Sequence, residues 1–64
     1  MNTALKTARE AVQKTQAQVA KEARITEVTY QRYEYGVRKP IADTATLIAR
    51  AVGSTVESLW GANV

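Results

Sequence analysis

Nothing in this chain can be stapled. It contains no Cys and no His, so neither a disulfide nor a zinc site of the usual ligands can hold it together. That absence weighs heavily on a chain of 64 residues. A domain of this size buries only about 60% of the surface its unfolded chain exposes, and small scaffolds normally add such staples. The fold must therefore rest on its own apolar packing and on segments that are favourable locally. The same absence narrows the chemistry. A Ser or Cys triad lacks its His base, and the six carboxylates form no close pair at an obvious cleft. Walls thick enough to enclose a ligand are rare at this size. No catalysis, cofactor, metal or small-molecule ligand is expected. No uncharged run is longer than Ser58 to Val64, far short of a membrane span. The opening MNTALKTARE has no apolar signal core. A single soluble, cytoplasmic domain over residues 1–64 is the expectation.

Punctuation along the chain is sparse: one Pro, at Pro40, and glycines at Gly36, Gly53 and Gly61. No alternating run of strand type is sustained and Ala is abundant, which predicts an all-α fold. A first helix is expected from about Thr3 to Gln13, with Leu5, Ala8 and Val12 on one apolar stripe. Thr15-Gln16-Ala17-Gln18 fits a capping box that opens a second helix, with Val19, Ala20 and Ala23 inward. Thr26 is an N-cap candidate for a third, Glu27 complements its dipole, and Gly36 can end it in the left-handed conformation. Tyr30 and Tyr33, three residues apart, face the core. After the basic stretch Val37-Arg38-Lys39-Pro40, a fourth helix runs from about Ala42 to Val52 with Ala45, Ile48, Ala49 and Val52 inward. A short fifth begins after Thr55 and packs back through Val56, Leu59 and Trp60.

The second and third helices meet across the tight turn Ala23-Arg24-Ile25, where a small residue at Ala20 permits a close crossing. That is the spacing of a helix-turn-helix unit, placed here at about residues 15–36. Leu5-Lys6 and Arg9 precede it, then Thr15-Gln16 and Val19-Ala20. The most specific stretch is Arg32-Tyr33-Glu34-Tyr35-Gly36 with Arg38-Lys39-Pro40, and Ile48-Ala49-Arg50-Ala51-Val52-Gly53, Val56 and Leu59 complete the order. The chain resembles the phage-repressor and Cro type of helix-turn-helix domain, the XRE family, over about residues 4–60. The resemblance implies a compact five-helix bundle of the lambda-repressor-like kind. Three departures stand out. Arg24 occupies the turn position where the family usually has Gly. Lys14 replaces a usual apolar residue. Ala8 and Ala45 are smaller than usual while Tyr30 is larger, so the Tyr30 ring is expected to fill the volume they vacate.

The resemblance implies double-stranded DNA as the partner, read by the third helix (about 27–35) in the major groove, most simply by a Cro-like repressor. With Tyr30 and Tyr33 inward, Glu27, Val28, Gln31 and Arg32 project outward, where they can read bases. Arg32 suits guanine, Glu27 a cytosine amino group and Val28 a thymine methyl. Lys14, Gln16, Thr26, Thr29, Arg38 and Lys39 are candidates for phosphate contact. The resemblance also carries an ion pair between Arg9 and Glu34. Residues 14–39 hold a net charge of +3, against +1 before them and −1 after them, which puts the basic excess where DNA would lie. The excess is modest, so a homodimer on DNA is expected, with contact near Leu47, Ala51, Val56 and Trp60. For each residue a blander role exists: Glu27 as a dipole partner, Thr26 as a cap, Arg38 and Lys39 as a solvated turn. The rival reading of the whole chain is a protein-interaction or antitoxin-type module that uses the same fold with DNA binding weak or lost.

Overall fold

In the computed structural model, which describes residues 1–61, five helices follow one another: α1 (Thr3–Ala11), α2 (Gln16–Glu22), α3 (Glu27–Glu34), α4 (Ala42–Ala51) and α5 (Val56–Trp60). There is no strand among the described residues, and no helix is long and apolar enough to cross a membrane. Residues 62–64 of the expected domain lie outside the described residues. Side chains fix most of the starts. Asn2 accepts from the Leu5 N–H, Thr15 from Gln18, Thr26 from Thr29 and Thr55 from Ser58. Thr15 and Gln18 complete the reciprocal capping box. α4 begins after Pro40 at Ile41 with no side-chain cap.

Four of the five ends share one device. After α1, α2, α3 and α4 a left-handed residue turns the chain, at Gln13, Arg24, Gly36 and Gly53. The amide one residue further on bonds back to the last turn: Lys14 to Arg9, Ile25 to Ala20, Val37 to Arg32 and Ser54 to Ala49. This is the Schellman arrangement. Gly36 and Gly53 adopt φ of +80° and +67° freely, whereas Gln13 and Arg24 carry a Cβ at φ of 56° and 61°, a conformation that costs roughly 1–2 kcal/mol for an L residue. The first helix accordingly stops at Ala11, two residues short of the expected Gln13. Val12, expected on the apolar stripe, is the C-cap and stands 39% exposed.

Leu5, Val19, Ala20, Ala23 and Tyr30 pack with Ile48, Ala49, Ala51, Val52 and Leu59 in one core. α2 lies against both α3 and α4, while α1 bridges α3 and α5. Tyr30 is fully buried in this cluster and Ala8 packs against it, whereas Ala45, also fully buried, lies outside it. Ala51, expected on a dimer surface, is instead 6% exposed within the core. The chain between α1 and α2 covers the last turn of α4, and the Lys14 Nζ reaches the Ala51 carbonyl at 2.8 Å. That approach leaves Ala51 almost no area for a partner.

Candidate nucleic-acid interface

α3 has two unlike faces because Tyr30, Tyr33 and Glu34 turn toward the core and Val28 and Arg32 turn away from it. Tyr30 and Glu34 are buried and Tyr33 is partly so. Glu27, Val28 and Arg32 are exposed, and Gln31 is half-buried on the flank. Among the described residues no other helix covers this face. Val28, an apolar side chain, is 56% exposed on it. At the start of the helix the Thr26 hydroxyl accepts from the Thr29 N–H at 3.2 Å and donates to the Thr29 Oγ1 at 2.8 Å. Past the Gly36 turn, Arg38 and Lys39 stand exposed on the loop that leads to Pro40.

Two ion pairs exist among the described residues, Arg9 with Glu34 and Lys14 with Glu22. Between residues 14 and 39 this leaves Lys21, Arg24, Arg32, Arg38 and Lys39 unpaired against Glu27 alone. Arg9, which lies outside this stretch, offsets Glu34, so five free cations stand against one carboxylate and the local excess is +4 rather than +3.

Behind the exposed face sits a polar network. The Arg9 Nε donates to Glu34 Oε2 at 3.2 Å and its Nη2 to Oε1 at 3.0 Å, a two-pronged pair. Arg9 Nη1 also donates to the Lys14 carbonyl at 2.9 Å. The Gln16 Nε2 donates to Glu34 Oε2 at 3.2 Å, and the Gln31 Nε2 donates to Gln16 Oε1 at 3.2 Å. Burial alone would raise the Glu34 pKa, but the hydrogen bonds from Arg9 and Gln16 and the Arg9 charge outweigh it, so the carboxyl is held below its usual range. Burial pushes the Tyr30 phenol well up, and the neighbouring Glu34 charge adds to that. The Tyr30 hydroxyl itself makes no hydrogen bond of full geometry.

Of the residues singled out in the sequence, Glu27, Val28, Gln31, Arg32, Thr26 and Thr29 converge on α3 and its cap, with Arg38 and Lys39 just beyond. Arg9 and Glu34 meet beneath them. Two expected phosphate donors are placed differently. The Lys14 ammonium is held between Glu22, at 2.9 Å, and the Ala51 carbonyl, where it complements the C-terminal end of α4. The Gln16 amide is shared among Glu34, Gln31 and, at 3.5 Å, the Tyr35 hydroxyl. Leu47, Val56 and Trp60 remain partly exposed at the edge of the core.

Asn2 was not singled out at all. Its amide N–H donates to the Glu34 carbonyl at 2.8 Å and its Nδ2 to the Leu59 carbonyl at 2.9 Å, so it ties the end of α3 to α5. An Asn just before Thr3-Ala4-Leu5 is itself a capping signal, though the reach to α5 has no local signature.

A family model described as helix-turn-helix matches residues 5–59, nearly the whole described fold. The chain belongs to the XRE-type helix-turn-helix family. That family is one of DNA-binding regulators. No curated protein matches the chain, and no solved structure does.

Proposed function

We propose that the protein is a sequence-specific regulator of double-stranded DNA, a repressor, that lays α3 in the major groove. One observation carries the reading: the outer face of α3 is uncovered and holds Val28 and an unpaired Arg32, while its inner face is locked by Tyr30 and Glu34. Arg32, Val28, Gln31 and Glu27 face the bases, and Thr26, Thr29, Arg38 and Lys39 face the phosphates on either side. Lys14 takes no part, and Gln16 acts through its protein partners. A protomer measures at most 25 Å across, whereas half-sites one helical turn apart are separated by about 34 Å. Two copies are therefore needed for a two-fold site, with Leu47, Val56 and Trp60 at the contact.

Val37 and Ile41 favour a second reading. They stand 73% and 72% exposed on either side of Arg38 to Pro40, and such apolar exposure suits a protein partner. In that case the fold is an interaction or antitoxin-type module. Selection of bound fragments from random duplex DNA separates the two. The proposal expects an inverted repeat bound with an affinity that falls steeply with salt. Recovery of no shared sequence would favour the interaction module.

A further inference from the structure

The side-chain amides that border the open face of α3 are joined in a chain with a fixed direction. It begins at Glu34, which is 1% exposed and carries two hydrogen bonds from Arg9. A carboxylate so held can only accept. The neighbouring Gln16 must therefore turn its NH2 toward Glu34, as it does at 3.2 Å. Its second amide hydrogen faces the Tyr35 hydroxyl at 3.5 Å, so its carbonyl oxygen is what remains for Gln31, and Gln31 must turn its own NH2 inward, again at 3.2 Å. Reversing either amide would set two acceptors or two donors face to face.

We infer that Glu34, acting through Gln16, fixes the polarity of the Gln31 amide and so makes Gln31 a reader of adenine rather than guanine. This rests on the DNA-binding reading above. In the major groove adenine shows one donor and one acceptor, whereas guanine shows two acceptors, N7 and O6. A free glutamine can meet either, because its NH2 can give one hydrogen to adenine or both to guanine. Gln31 has already spent one hydrogen on Gln16. It keeps one N–H and its carbonyl oxygen, a donor–acceptor pair that matches adenine and leaves a guanine acceptor unmet. Gln16 is then a positioning residue that sets specificity without touching the base. Arg9, in α1, belongs to the same device because it holds the carboxylate in place.

The test uses the full chain and duplexes derived from its selected site. Gln31→Ala first identifies the base pair that Gln31 reads, as the one position at which discrimination is lost. Duplexes with each base at that position are then titrated against wild type, Gln16→Met and Gln16→Ala, with circular dichroism melts to check folding. Wild type is expected to prefer adenine over guanine there by at least about fivefold. Both Gln16 variants should bring that ratio to within about twofold while preferences at other positions stay as they were. A merely structural role for Gln16 would lower affinity for every duplex alike and leave the ratio unchanged. That result, a wild-type preference for guanine, or a Gln31→Ala variant with an unaltered profile would overturn the inference. Failure of the wild-type chain to discriminate among any duplexes would overturn the DNA-binding reading itself, and the relay with it.

Discussion

Removing Arg9 alone should damage this protein more than removing Arg9 and Glu34 together. The Glu34 side chain is 1% exposed and that of Arg9 is 13% exposed. In Arg9→Met the carboxylate stays buried with the Gln16 amide as its remaining side-chain donor. Stranding one partner of a buried pair costs about 3–5 kcal/mol. The whole stability of a domain this small is roughly 3–10 kcal/mol, so the single variant should be close to unfolding at 25 °C. In Arg9→Met with Glu34→Leu no charge is stranded, and apolar replacement of a buried pair is often neutral or favourable. The double variant should recover a cooperative transition within about 2 kcal/mol of wild type. The assay is urea denaturation followed by circular dichroism at pH 7, with Glu34→Leu completing the cycle. Acidity adds a second check. The folded pKa of Glu34 is lowered, so its contribution is fully present above the unfolded value of about 4.3 and is lost as pH falls through the folded value. In Arg9→Met burial acts unopposed by the guanidinium, so the deficit relative to wild type should shrink as pH falls toward 4. An Arg9→Met midpoint equal to wild type, or a double variant as unstable as the sum of the singles, would refute the reasoning.

Three further outcomes follow from other parts of the fold. Arg24→Gly and Gln13→Gly should each raise stability by up to about 1 kcal/mol, read as the urea midpoint, because each relieves a left-handed residue. Lys14→Ala should lower stability by about 1 kcal/mol through loss of the α4 end contact yet leave the salt dependence of DNA binding unchanged. Lys39→Ala should do the reverse, reducing the slope of log affinity against log salt by about one unit. Glu27→Gln discriminates between two roles in duplex titrations. A uniform rise in affinity means that Glu27 only repelled phosphates, and an altered base preference at one position means that it accepted from cytosine.

What the sequence made legible was local. Thr15, Thr26 and Thr55 announce helix starts because an N-cap needs a hydroxyl at one place. Gly36 and Gly53 announce ends because a left-handed residue favours glycine. Gln13 ends α1 by the same turn, but a residue that endures a strained conformation leaves no compositional mark, and the first helix was expected to run too far. The ion pair of Arg9 and Glu34 came from resemblance, since nothing local links positions 25 residues apart. The place of Lys14 at the Ala51 carbonyl, 37 residues away, could not be read at all. That one contact holds Lys14, which the sequence offered to the phosphates, and covers Ala51, which it offered to a dimer surface. The exposed candidates on α3 were legible because Tyr30 and Tyr33, three residues apart and inward, fix where the rest must point. Which of them the protein restrains was not, because the amide chain from Glu34 to Gln31 depends on how α2 crosses α3.

The central claim is that α3 reads sequence, and Arg32→Ala tests it most directly. Wild type and variant are titrated against one matched and one scrambled duplex at two salt concentrations. Arg32 lies mid-helix on the open face with no ion pair among the described residues, so under the proposal it meets base edges rather than the backbone. The account predicts a loss of about 1–3 kcal/mol on the matched duplex and little on the scrambled one, with the salt slope nearly unchanged. Equal losses on both duplexes would contradict it, because Arg32 would then be a general cation and the outer face of α3 would not be reading bases.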